Sequence, residues 1–280
     1  MRWLGGGGSG NIEDRRGGRG GMALGGFGIV AVILGLLFGE DATRFLSAIP
    51  GVDPSAQTAP AKTGTPEDAG GRFVNNVLAS TDEVWTNLFR ENGGEYQEPT
   101  LVLFDGQTQS GCGFASAATG PFYCPADQKV YIDLSFYDEL QNRFGAPGDF
   151  AQAYVIAHEV GHHVQDLMGT TRKVDELRGR LSETEYNKLS VRLELQADFY
   201  AGVWAHHGRD KQFALDEGDI EEALNAASAI GDDRLQEQSQ GRVVPDAFTH
   251  GTSAQRVRWF KKGFDTGDIR QGDTFSEKNL

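Results

Sequence analysis

The stretch Asp149–Met168, DFAQAYVIAHEVGHHVQDLM, decides how the chain is read. Apolar residues recur through it at helical spacing and Gly169 follows as a stop, which predicts one helix. Within it His158, Glu159 and His162 form the pattern H-E-x-x-H. Positions i and i+4 share a helical face, so the two imidazoles can grip one ion. Glu159 lies about 100° round the helix, badly placed as a ligand but able to reach a water on such an ion. Gly161, beside the motif, leaves room for another element to approach closely.

A hydrolytic zinc site needs a third protein ligand and an open fourth position. A metzincin-like site would continue with Gly at 165 and His at 168. This chain has Gln165 and Met168, which excludes that class. The alternative is a carboxylate from a second helix. Leu193–Gly202, LELQADFYAG, carries Glu194 and Asp198 at i and i+4 among apolar neighbours, where carboxylates want partners. Glu194 is then the third ligand, and Asp198 accepts the free ring N–H of a ligand histidine.

The rest of the sequence frames this core. Its 280 residues are enough to bury a sizeable core, and 39% hydrophobic with 24% charged residues is a globular composition. The net charge of −14 argues against a nucleic-acid partner. Gly20–Gly39 contains no charge, with Arg15, Arg16 and Arg19 before it and Glu40 and Asp41 after it. As a helix it is long enough to span a hydrocarbon core. The charge asymmetry then gives a cytoplasmic tail (1–19), one transmembrane helix (20–39), a Pro-rich linker (40–71) and an extracytoplasmic domain (72–280). Cys112 and Cys124 would meet an oxidising compartment there and pair, contributing about 3 kcal/mol.

Within the domain, Ser80-Thr81-Asp82-Glu83 reads as a capping box that opens a helix. Thr100–Phe104 and Lys129–Leu134 read as strands. Glu183–His207 and Ser253–Phe264 read as helices, the latter entered from Thr252 or Ser253. Strands followed by helices suggest an α+β domain. The bland assignments are His163 as a residue turned from the ion, His206 and His207 as helix-end residues, and Trp85, Trp204 and Trp259 as core. Asp216–Glu222 reads as a solvated helix start.

HEVGHHVQ, ELQADFYAG, His250–Phe260 (HGTSAQRVRWF) and the opening MRW…NIEDRRG together resemble the bacterial membrane-anchored neutral zinc metallopeptidase family. The similarity covers nearly the whole chain except the linker. The order HExxH…ExxxD is also similar to that of membrane-associated gluzincin peptidases. In those, a histidine followed six residues later by arginine supports the transition state, and His250 and Arg256 have that spacing. The resemblance implies a mostly helical zincin-like α+β domain with a small β-sheet and Zn²⁺ as cofactor. Zn²⁺ would be held by His158, His162 and Glu194, for cleavage of protein or peptide substrates. Glu159 would be the general base and His250 the donor to the oxyanion, with Arg256 orienting His250 or a nearby carboxylate. Tyr154 and Tyr200 are weaker oxyanion candidates. Such peptidases lay substrate along an exposed edge strand, expected here near Cys112–Cys124. Two rival readings are a proteolytically silent zinc-binding adaptor and a zinc amidase acting on a non-peptide substrate. A silent adaptor has no need of Glu159.

Overall fold

The computed structural model describes residues 1–4, 7–17 and 62–280. In chain order these form β1 (Arg2–Trp3), β2 (Ile12–Asp14), β3 (Lys62–Thr63), α1 (Ala69–Glu91), β4 (Thr100–Phe104), β5 (Gln107–Ser110) and β6 (Gly113–Ser116). There follow β7 (Phe122–Cys124), β8 (Lys129–Asp133), α2 (Ser135–Asn142), α3 (Asp149–Leu167), α4 (Thr170–Asp175) and α5 (Glu183–Gly208). The chain continues through β9 (Phe213–Ala214), α6 (Asp219–Ala229), α7 (Asp232–Gln240) and α8 (Ser253–Thr266).

Local chemistry sets the helix ends. Ser182 and Glu185 form a reciprocal capping box at the start of α5, and Thr252 and Gln255 do the same for α8. The Ser80–Glu83 signature opens no helix, because it lies inside α1, whose N-cap is Asp68. Its polar side chains are spent on other partners. Ser80 Oγ accepts from Trp204 Nε1 at 2.8 Å, and Thr81 Oγ1 donates to Leu78 O at 2.7 Å.

Three helices pack through glycine notches. At Gly161 of α3 a Cβ would sit 2.9 Å from Ala197 O of α5. At Gly202 of α5 it would sit 2.1 Å from Phe260 O of α8, and at Gly263 of α8 it would sit 2.0 Å from Phe199 O of α5. Backbones that meet this closely exclude any side chain at the crossing. The buried aromatic residues Trp85, Trp204, Phe150 and Phe213 fill the space around them.

The main sheet has the order β3-β2-β4-β8-β7, with β2–β4 and β4–β8 parallel and the outer pairs antiparallel. Thr100–Phe104 is apolar on both faces, as a central parallel strand requires. Its partner is shorter than the run Lys129–Leu134, ending at Asp133. Cys112 and Cys124 form a disulfide that ties the β5–β6 turn to the end of edge strand β7.

Two expectations are corrected. The domain is mixed α/β rather than strands followed by helices behind a transmembrane segment. Helix α1 precedes β4, and β1 and β2, from the first fourteen residues, enter sheets with β9 and with β4. Among the described residues no helix is long and apolar enough to cross a membrane, and Gly20–Gly39 lies outside them. The supposed cytoplasmic tail is part of the fold. Glu13 pairs with Thr63 and with Val102, and Arg15 N donates to Leu103 O at 2.8 Å. The chain on either side of residues 18–61 thus enters one sheet on neighbouring strands. That is incompatible with a single crossing that puts the tail and the domain on opposite sides of a membrane.

Candidate metal centre

Helix α3 presents His158 and His162 on the face that meets α5, and the notch at Gly161 brings α5 close enough for Glu194 to meet both. His158 Nε2 lies 3.2 Å from Glu194 Oε2, and His162 Nε2 lies 3.4 Å from Glu194 Oε1. The donor atoms of the three residues fall within 4.8 Å of one another. For tetrahedral zinc with bonds of about 2.0–2.1 Å, neighbouring ligand atoms are separated by about 3.3 Å. Two imidazole nitrogens and a carboxylate at 3.2 and 3.4 Å therefore fit such an ion.

The far nitrogens of both rings are already engaged, which leaves each Nε2 free to face Glu194. His158 Nδ1 donates to Asp198 Oδ1 at 2.8 Å, and His162 Nδ1 donates to Gln165 Oε1 at 2.9 Å. Asp198 is fully buried and also accepts from Arg256 Nε and Nη2 (2.8 and 2.9 Å) and from the Tyr154 hydroxyl (2.5 Å). Gln165 reaches α5 itself, donating to Leu193 O at 2.7 Å. One ligand histidine thus leans on an ionised carboxylate and the other on a neutral amide, and both supports connect α3 to α5.

The electrostatics follow from this packing. Burial opposes the charged form of His158, but Asp198 and Glu194 outweigh it and raise its pKa to about 10. Burial alone would raise the Asp198 carboxyl, yet Arg256 and His158 hold it at about 2. Glu194 is held well below the usual carboxylate range by His162, His250 and His158 against its own burial. Glu159 goes the other way. Burial raises its pKa, with the two ligand histidines and the Tyr123 backbone N–H pulling back and Glu194 adding to the rise. A carboxyl tuned upward beside an ion site is suited to proton transfer.

His250 faces Glu194 from the loop before α8, with a half-exposed side chain. Its ring Nδ1 lies 3.1 Å from Asp232 Oδ1. The other oxygen of Asp232 accepts the backbone N–H groups of Thr249, His250 and Gly251 at 2.7, 2.6 and 3.0 Å. Burial works against the charge on His250, but Glu194 and Asp232 raise its pKa. Asp232, at the start of α7, is a residue that sequence reading missed. It lies 18 positions upstream with no local pattern connecting the two.

Other candidates fall elsewhere. Of the two roles expected of Arg256 the structure has the second, since it donates to the nearby carboxylate Asp198 and not to His250, and it is 2% exposed. The Tyr154 hydroxyl is committed to Asp198, and Tyr200 contacts Met168 Sδ at 3.5 Å, so neither is free for an oxyanion. His163 does not face the ion site. Its Nε2 donates to Gln97 O at 2.6 Å, and its Nδ1 lies 3.0 Å from the Tyr123 hydroxyl. His206 and His207 donate to Phe264 O and Gly267 O at the end of α8. In the acidic stretch, Asp219 meets the Met1 ammonium at 3.3 Å and Glu222 accepts from Phe150 N at 3.1 Å, so its role is to tie down the start of α3.

A cleft of about 570 Å³ runs over the ion site. Its walls include Glu159, His250, Phe122, Tyr123, Phe136 and Leu235. The edge strand β7 forms one side of it.

The chain is 50% identical over 289 residues to the uncharacterised protein YpfJ of Escherichia coli (strain K12), covering 99% of each chain. It is 42% identical over 265 residues to the uncharacterised protein Rv2575 of Mycobacterium tuberculosis (strain ATCC 25618 / H37Rv), covering 88% of this chain and 86% of that one. No solved structure matches the chain. The family model described as "Putative neutral zinc metallopeptidase" matches residues 1–275, and the chain belongs to that family.

Proposed function

We propose that the protein is a zinc-dependent endopeptidase. The observation that carries this reading is the convergence of His158 Nε2, His162 Nε2 and Glu194, with Glu159 beside them in an open cleft. Zinc held by those three residues would supply Lewis acidity and a bound water whose pKa falls toward about 7.

The chain's own groups account for the rest. Asp198, fixed by Arg256 and Tyr154, keeps the His158 proton on Nδ1 and so keeps Nε2 available as a donor atom. Gln165 does the same for His162. Glu159, with its pKa raised by burial, takes a proton from water and returns it to the leaving amine. His250, charged and oriented by Asp232, donates a hydrogen bond to the oxygen that gains negative charge. Such a donor is worth about 3 kcal/mol of barrier. The aromatic wall formed by Phe122 and Phe136 lowers the local dielectric and strengthens these interactions.

The test compares wild type with Glu159→Gln on an unstructured protein such as casein. The variant should keep stoichiometric zinc and lose cleavage. Equal cleavage by both proteins refutes the reading, and inactivity of both favours a silent zinc protein.

A further inference from the structure

The cleft runs along α3 from Tyr154 to Gln165, and its two ends are built differently. At the N-terminal end its walls are Phe136 and Glu139 of α2, Phe144 of the loop that leads into α3, and Val155, one turn before His158. Past the C-terminal end of α3 they are Asp175 of α4, Arg178, and Tyr186 of α5.

The charges at the C-terminal end are matched on the spot. Arg178 Nη2 donates to Asp175 Oδ1 at 3.2 Å, and the Tyr186 hydroxyl donates to the same oxygen at 3.2 Å. The Arg178 guanidinium also lies over the Tyr186 ring, 4.6 Å from its centroid. In the middle of the cleft Arg256 is taken up by Asp198, and Asp232 by His250 and three backbone N–H groups. Glu139 is different. Among the described residues no group donates a hydrogen bond to its carboxylate. Its opposite charge is Arg143, whose Nη1 stands 3.7 Å from Glu139 Oε2, beyond hydrogen-bond range. The Arg143 guanidinium is spent instead on the Phe144 ring, 5.2 Å from its centroid. Burial raises the pKa of Glu139 and Asp133 adds to the rise, with Arg143 pulling back, as expected of a carboxylate short of donors.

The surroundings of this carboxylate are apolar. Positions 136 and 139 share a face of α2, which puts the Phe136 ring beside Glu139. Phe136 and Phe144 lie with ring centroids 6.4 Å apart, and Val155 is buried behind the cleft surface. An apolar wall that ends in an unmatched carboxylate suits a long side chain with a cationic tip. Its methylene stem covers the aromatic surface, and its head meets the acid.

We infer that this end of the cleft is a subsite for a lysine or arginine side chain of the substrate, selected by Glu139. The inference rests on the endopeptidase reading and names the substrate class that the cleft prefers. The net charge of −14 draws the same class toward the protein. An acidic side chain meets like charge there, and a short polar one leaves the aromatic wall uncovered.

The experiment uses the intact zinc-loaded protein and peptides acetylated and amidated at their ends, so that no terminus supplies a charge. A neutral peptide that is cleaved receives one lysine at each position in turn on both sides of the scissile bond. A second series carries norleucine, which has a similar stem and no charge. At one position lysine should exceed norleucine in kcat/KM about tenfold or more, and arginine should share the advantage. Glu139→Gln should bring that ratio to about one, and Glu139→Lys should invert the preference toward glutamate at the same position. Zinc content and the thermal transition show that both variants are folded. Equilibrium binding to zinc-loaded Glu159→Gln protein, which turns nothing over, should show the same lysine advantage. A flat lysine scan on a cleaved parent peptide overturns the subsite alone, as does an advantage that survives Glu139→Gln. If no peptide is cleaved, the endopeptidase reading falls and the subsite with it.

Discussion

Substitution of Gly161 by alanine tests the link between backbone packing and the ion site. A Cβ at 161 would lie 2.9 Å from Ala197 O and 3.1 Å from Ala197 Cα, where ordinary contact begins near 3.4 Å. The obstacle is backbone, so α3 and α5 must part by about 0.5 Å to relieve it. Overpacking of this kind costs about 1–3 kcal/mol. Alanine returns about 1 kcal/mol of helix propensity relative to glycine. The net loss of stability is therefore small, about 0–2 kcal/mol, and the variant should fold. The ion site is less tolerant. Glu194 sits one turn before Ala197, so parting the helices moves the carboxylate away from both imidazoles, while metal–ligand distances tolerate only about 0.2 Å. Zinc affinity, measured by competition with a chromophoric chelator, should fall ten- to a hundredfold, while the melting temperature of the zinc-free protein changes by only a few degrees. Unchanged zinc affinity in a folded Gly161→Ala protein would refute the proposed coupling of the notch to the site.

Other glycine contacts and buried charges make outcomes that are as specific. Gly202→Ala should prevent native folding, read as loss of a cooperative thermal transition, because its Cβ would lie 2.1 Å from Phe260 O, too near for a small shift to absorb. Arg256→Met should cost about 3–5 kcal/mol in chemical denaturation by taking the guanidinium partner from the buried Asp198 charge, and adding Asp198→Asn should recover part of that loss. Asp82, 5% exposed in α1, has one oxygen with no partner, and burial, with a smaller push from Glu98, raises its pKa to about 8 despite the hydrogen bond from Ser9. The folded state then keeps a proton that the unfolded chain releases near pH 4, so this contribution to stability is intact below pH 4 and declines as pH rises toward 8. Asp82→Asn should flatten that decline and be the more stable protein at pH 8, and a parallel pH profile for the two proteins would contradict it.

The sequence made the centre of this molecule legible and its periphery opaque, for a physical reason. His158, Glu159, His162, Glu194 and Asp198 all lie on long helices, where a spacing of four residues fixes a shared face, so their juxtaposition follows from periodicity. The close approach at Gly161 could be read for the same reason. Strands β1 and β2 are only two and three residues long, and they pair with residues some 210 and 90 positions away. No local pattern encodes such partners, and Arg15 and Arg16 read as membrane-flanking charges although they hold Glu13, Asp14 and Asp68. The Ser80–Glu83 signature misled because Ser80 found a tertiary partner in Trp204 and Thr81 bonds back to Leu78 O within its own helix. Asp232 acts through a loop that only the packed fold brings to its helix start.

The proposed function requires two imidazoles and one carboxylate from crossing helices to hold a zinc ion with a position open to solvent. X-ray absorption at the zinc edge, on the purified protein loaded with one equivalent of zinc, tests it directly. A first shell of four light ligands near 2.0–2.1 Å, two of them imidazoles, is expected, with one imidazole lost in His162→Ala and the shell otherwise depleted in Glu194→Ala. Sulfur ligation, an all-oxygen octahedral shell, or a spectrum unchanged by either substitution would contradict it.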